Sequence, residues 1–287
     1  MTSPLSKLGL GSGQFGFDQP ALRGRPREAE ARDILSIAAR AGLGVLEIGR
    51  HSHTAEAMLG QALPRPCPFR VTLTTVRPDR GPDLVEAELR AQMRRMGVER
   101  VDTVLAPSAT DLFSPMGPHL WERLRALKDQ GLCARIGVSV YASDDPVGLA
   151  KRFKPDVVQA PASLLDQRLL IDGTLAELAS MGVEVHLRSI FLNGVLFLPP
   201  DRAPSHLKAA AGRISRARRL IAEGRSDPLQ AALGFALSRP EASAVLVGVG
   251  SAAEMSAVVA AAMSPPPDLD WDEMALDDPE ALAWAAA

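Results

Sequence analysis

The sequence predicts an α/β fold, a single-domain (β/α)8 TIM barrel, on three observations. Short apolar runs alternate with amphipathic segments along the whole chain. About eight such pairs fit into 287 residues, a usual length for one closed barrel. No change of composition marks a linker, so the domain spans residues 1–287, with 264–287 as a Pro- and Asp-rich tail packed on the barrel.

The elements follow in order. Ser6 to Phe17 is short, apolar and glycine-rich, a first strand with turns, and Gln19 to Arg27 is a polar, basic loop. Glu28 to Ala41 carries Ile34, Leu35, Ala38 and Ala41 on one helical stripe, and Gly42 stops it. Val45 to Gly49 is a strand and Ala55 to Ala62 a helix; Phe69 to Thr75 is the next strand. Asp83 caps a helix through Met96, ended by Gly97. Val101 to Ala106 and Ala134 to Val140 are strands around a helix from His119 to Gln130. Pro146 to Phe153 is helical, and Asp156 to Ala160 is a strand that Pro161 stops. The helix Thr174 to Met181 precedes the strand Val183 to Ile190. Helices at Ser205 to Glu223 and Pro228 to Ser238, the strand Ala244 to Val247 and the helix Ala252 to Ala262 complete the series. Parallel strands buried on both faces read as such short apolar runs.

Composition bounds the function. The chain is 46% hydrophobic and 23% charged with a formal net charge of −2, so nothing draws it toward nucleic acid or an anionic membrane. The Arg-rich segments, Arg23 to Arg27 and Arg213 to Arg225, read as solvated faces. The N-terminus lacks a basic-plus-apolar signal, and no apolar run approaches the ~20 residues a membrane helix needs. Cys67 and Cys133 have no ligand spacing and read as free thiols. A cytoplasmic protein is expected.

Two glycine-rich stretches invite a phosphate. Leu8 to Gly13 is half a dinucleotide fingerprint without a full GxGxxG, and reads as a turn. Gly248 to Gly250 lies between an apolar strand and a helix starting near Ala252, where backbone N–H groups can seat a phosphate; a bare turn is the alternative.

The most informative stretch is Val45 to Gly60, VLEIGRHSHTAEAMLG, a strand, a polar loop and a helix opening at Thr54 or Ala55. Its spacing resembles the aldo-keto reductases, whose hallmark here is D-T-A-x-x-Y-G-x-[SA]-E-x-x-L-G. Ala55, Glu56, Leu59 and Gly60 match. Glu47, Ile48, Gly49, Ser52 and His53 replace the Asp, Thr, Ala, Tyr and Gly. The resemblance continues through LGLGSGQFG, VERVDTVL (Val98 to Leu105), RIGVSVY (Arg135 to Tyr141), PDVVQAPASLLDQR (Pro155 to Arg168), EVHLRSIFLNGVL (Glu184 to Leu196) and VLVGVGS (Val245 to Ser251). It implies a (β/α)8 barrel that reduces aldehydes and ketones with NAD(P)H, using a Tyr proton donor tuned by Lys and Asp with a His nearby.

All four of those positions have changed. Glu47 stands for the Asp, Ser52 for the Tyr, Thr74 for the Lys and Pro107 for the His. A Tyr needs a cation to bring its pKa of roughly 10 toward neutrality, and Ser52 starts far higher. The chain's single tyrosine, Tyr141, follows another strand. What stays at this face is Glu47 with His51, Ser52 and His53. Either His51 or His53 supplies the missing acid, a carboxylate favouring its charged form, or serves as base in another reaction, or both are solvated loop residues on a degenerate site. H-x-H beside Glu47 lacks a third clear metal ligand, so no metal is expected.

On the cofactor side the resemblance implies that Ser139 and Gln159 hold the nicotinamide amide, with Val140 in place of an Asn. Arg188 stands where an aromatic stacks on the ring, and the loop from Ser189 to Gly194 matches the pyrophosphate segment. Arg188 equally suits a carboxylate or phosphate of another ligand, or an ion pair with Glu47 or Glu184. After the eighth strand come Gly248, Gly250, Ser251 and Glu254, without the cation that prefers NADP. NAD(H) or NADP(H) is thus expected to bind weakly or not at all, with no preference for NADP.

Three functions remain open. The first is a barrel that no longer performs standard carbonyl reduction and binds a small metabolite or nucleotide, or catalyses a non-redox step. The second is an oxidoreductase with a rebuilt acid. The third is a non-catalytic partner of another protein.

Overall fold

A computed structural model describes residues 3–16, 28–49, 53–198, 210–276 and 282. Its centre is a closed barrel of eight parallel strands in sequence order, β1 to β8. They are Leu8–Gly11, Val45–Ile48, Arg70–Thr74, Val101–Ala106, Cys133–Ser139, Val157–Pro161, Glu184–Arg188 and Ala242–Gly248. The helices are α1 (Pro4–Lys7), α2 (Gly13–Gly16), α3 (Glu28–Ala41), α4 (His53–Ala62), α5 (Pro82–Met96), α6 (Ala109–Phe113) and α7 (Gly117–Asp129). They continue with α8 (Pro146–Phe153), α9 (Arg168–Ile171), α10 (Thr174–Ser180), α11 (Ala211–Glu223), α12 (Pro228–Leu237) and α13 (Ala252–Met263).

Most expected elements appear with boundaries moved by a residue or two. The expected loop Gln19 to Arg27 and the start of the helix from Ser205 lie outside the described residues. The cap of α5 is a correction. Gly81 is the N-cap and Pro82 opens the helix, so Asp83 falls inside the first turn, where a carboxylate still favours the helix dipole. Pro161 belongs to β6 instead of stopping it. The short helices α6 and α9 are too brief to leave an apolar period. Gly97, at φ +65°, gives α5 its left-handed end.

Strand β1 shows why its sequence is LGLG. A Cβ at Gly9 would lie 2.7 Å from Leu246 Cδ2 and 3.0 Å from Val45 Cβ, in a lumen already filled. Leu8 and Leu10 face the helices and are fully buried. The helix-facing core is one large cluster, whereas Val45, Ala244 and Leu246 form a separate small plug within the barrel.

The floor of the barrel is ionic. Side chains from alternate strands share a layer in such barrels, and here Arg70, Arg135 and Glu184 come from β3, β5 and β7. Arg135 Nε lies 2.9 Å from one Glu184 oxygen and Arg70 Nη1 3.4 Å from the other. His186, then Arg135 and Arg70, hold the Glu184 carboxyl down at about 2, against the opposing effect of burial. That carboxyl therefore stabilises the fold fully above its unfolded pKa of ~4.3, and the contribution fades as pH falls toward the folded value. Glu184→Gln should cost about 1–3 kcal/mol at neutral pH, because two guanidinium groups lose a partly buried partner. Urea melts at neutral and acid pH check this: the gap between parent and variant should narrow in acid, and a constant gap would contradict it.

Candidate functional site

The two halves of the Val45 to Gly60 motif part company in the structure. The retained half packs helices. Glu56 is fully buried and pairs with Arg95 Nε of α5 at 2.5 Å. Gly60 allows the backbone of Arg95 to pass where any Cβ would collide with its carbonyl. The other half opens on β2 with Glu47, toward the C-terminal end of the strand, the end at which such folds carry their chemistry.

Glu47 projects into the lumen from β2. Its register partner on β1 is Gly11, and a Cβ there would lie 3.4 Å from Glu47 Oε2, so glycine leaves the carboxylate room. Burial raises the Glu47 pKa to about 7; neighbouring Gln159 and Arg188 pull it down but do not prevail. Strands β2 and β6 lie on opposite sides of the ring, so Glu47 and Gln159 approach each other only across the lumen. Ser139 Oγ sits 3.2 Å from Gln159 Oε1. The Gln159 amide nitrogen is buried, and the group it acts on across the lumen is the Glu47 carboxyl.

Arg188 ends β7 beside them. Its guanidinium lies over the Tyr141 ring, 4.8 Å from the centroid, a cation–π contact. Nη2 donates to the Val140 carbonyl at 2.9 Å, and Nη1 lies 3.2 Å from Ser189 Oγ. Nε is buried without a partner among the described residues. Burial lowers the Arg188 pKa, opposed by Tyr141, Glu47, Asp144 and Asp166. Ser189 itself takes φ +58°, uncommon for a residue with a side chain, and Gly194 follows at +81°. Tyr141 is positioned in turn by its N–H donating to Asp144 Oδ2 at 2.8 Å.

Thr74 is the buried last residue of β3, and Pro107 follows β4, half-buried. His53 is exposed at the start of α4, one residue before the expected opening. His51 and Ser52 lie outside the described residues. Among the described residues no three His, Cys, Asp or Glu side chains gather to hold a metal, and no helix is long and apolar enough to cross a membrane.

The far end of the mouth is the start of α13. Ser251 is its N-cap, its Oγ accepting the Glu254 N–H at 3.2 Å. The Gly250 N–H donates to Glu254 Oε2 at 2.7 Å, and Gly248 ends β8 beside Gly11. Sequence reasoning missed one member: Glu30 of α3, whose Oε1 accepts the Ala252 N–H at 2.5 Å. Closure of the barrel through β1 and β8 brings α3 beside α13, but nothing in the sequence shows a carboxylate reaching between them.

The parallel barrel thus gathers a carboxylate, an amide and a stacked guanidinium near the C-terminal ends of β2, β6 and β7. The family model of the aldo/keto reductase family matches residues 7–275, and the chain belongs to that family. Its fold is similar to that of an aldo-keto reductase from Bacillus halodurans in its holo form. That match has TM-score 0.76 and 19% identity over 97% of this chain and 91% of that one. It is also similar to a protein described as an aldo-keto reductase from Pseudomonas aeruginosa, with TM-score 0.66 and 18% identity over 90% of each chain. No curated protein matches the sequence.

Proposed function

We propose that the chain is an aldo-keto reductase-fold protein with an exchanged catalytic set, which does not act as a standard NADPH carbonyl reductase. Its mouth binds a small anionic metabolite, with a carboxylate or phosphate on Arg188 and a polar group between Gln159 and Glu47. The observation that carries this is that Glu47 and Arg188 are both buried and act on each other's charge. Burial raises the Glu47 carboxyl to about 7, and the charge that opposes this from β7 is a desolvated guanidinium whose Nε has no partner among the described residues. Such a pair suits proton transfer on a bound anion better than carbonyl reduction, since a base or acid works best with a pKa near the working pH. Ser139 and Gln159 remain compatible with a nicotinamide amide, but Arg188 replaces the stacking aromatic and would repel an oxidised, cationic nicotinamide.

One observation favours the rebuilt-acid oxidoreductase as a second reading: Glu47 itself has the matched pKa, so His51 and His53 are not the only candidates for proton donor.

The test is a thermal-shift panel of small carboxylic acids and phosphate monoesters, each beside its uncharged amide or alcohol, on the parent and Arg188→Met. Acids should raise the melting temperature of the parent and leave the variant unmoved. A panel in which charged and uncharged members act alike would end this reading. Nicotinamide-fluorescence titrations with NADH and NADPH accompany it: binding should be weak, and tighter binding of NADPH would contradict the loss of cationic contacts at Gly250 and Glu254.

A further inference from the structure

A helix start is a ready anion seat, because its first N–H groups have no partner within the helix and the dipole adds positive character. The start of α13, directly after β8, is where a dinucleotide phosphate would find such a seat on this barrel. The chain fills it itself. Glu254 takes the Gly250 N–H, Glu30 takes the Ala252 N–H, and Ser251 takes the Glu254 N–H.

The two carboxylates differ in origin. Glu254 belongs to the first turn of α13 and caps its own helix, one residue earlier than the usual reciprocal box. Glu30 comes from the first turn of α3 and reaches 222 residues along the sequence. It thus lies at the N-termini of two helices at once, where a negative charge favours both dipoles. An arriving phosphate would have to displace two seated carboxylates and bear the repulsion of both charges, with no Lys or Arg hydrogen-bonded to this turn among the described residues. The described residues at this turn do not fit the phosphates of NAD(P)H.

We infer that Glu30 and Glu254 form a built-in anion plug, which excludes dinucleotide phosphates from this end of the mouth and confines the site to ligands smaller than a dinucleotide. The inference extends the proposed small-ligand reading and rests on it only for the size of the ligand. The plug itself stands on the three hydrogen bonds.

The experiment compares the parent with E30A/E254A and E30Q/E254Q. The glutamines keep acceptors at both places and remove the charge; the alanines remove both. NADH and NADPH are titrated by nicotinamide fluorescence and inorganic pyrophosphate by calorimetry, with circular-dichroism melting on each protein. The parent should bind all three probes poorly. E30A/E254A should gain at least about tenfold for NADPH and pyrophosphate, and E30Q/E254Q a smaller but measurable share. If the alanine protein does not melt cooperatively, the glutamine protein carries the test alone. Micromolar NADPH binding by the parent, or folded variants no better than the parent, would overturn the plug. Arg188-dependent binding of small anions by the parent, with no gain in either variant, would sink the plug and leave the small-ligand reading standing. The reverse pattern would sink the small-ligand reading and leave the plug.

Discussion

Glu47→Gln should make the protein more stable at neutral and alkaline pH, and the gain should vanish in acid. The Glu47 carboxyl titrates at about 7 when folded and at ~4.3 when the chain is unfolded. Between those values the unfolded chain gives up its proton and the folded chain keeps it. Stability therefore falls with rising pH across that window, by ~1.4 kcal/mol per pH unit, and levels off above it. The accumulated cost is on the order of 3–4 kcal/mol once the carboxylate is fully charged. Glutamine has the same shape and no charge to bury, and Gly11 and Gly49 leave the same space around it. Urea denaturation across mildly acid to mildly alkaline pH measures the difference directly. It should open from near zero below about pH 4.5 to its full size above neutrality. A flat difference would mean that Arg188 compensates the charge completely, and the proposed poise of Glu47 would be lost with it. A polar residue that costs stability where a neutral one would serve is a mark of function.

The barrel was legible because its signals are local and repeated. Short β-branched runs such as VVQAP and amphipathic stretches such as Glu28–Ala41 each carry their own period. Strand order then follows from the rules of parallel connection. The places of Glu47 and Thr74 on β2 and β3 were legible through spacing, since each is a strand residue whose register is fixed. Two features were not. The pKa of Glu47 depends on desolvation by the whole lumen, which no single residue announces. The seat at α13 depends on Glu30, which reads in the sequence as an ordinary acidic residue in a helix's first turn. Even the resemblance in LGLGSG concerned geometry more than chemistry: Gly9 and Gly11 clear the lumen for Val45, Leu246 and Glu47.

No appreciable reduction of common aldehydes or ketones by NADH or NADPH is expected. Hydride addition to a carbonyl leaves an alkoxide, whose charge must be met by a proton or a preorganised donor. Thr74 brings a buried hydroxyl and no cation, and Pro107 brings no side-chain donor. Ser52 has a hydroxyl whose pKa lies far above that of a phenol. Loss of a positioned acid alone costs about 10²–10⁴ in rate, and the proposed plug at α13 would weaken cofactor binding in addition. Glu47 is the described group with a matched pKa, and His51 and His53 are the imidazoles near it in sequence. A steady-state panel of aldehydes and ketones should therefore run on the parent with Glu47→Gln, His51→Ala and His53→Ala alongside. Turnover in the parent that disappears in one of these variants would establish a reductase with a rebuilt acid and name the acid. Turnover that survives all three would place the chemistry elsewhere on the barrel, and Glu47 would then be a structural carboxyl. Parent and variants alike at the background rate is the outcome expected of the proposed non-reductase reading.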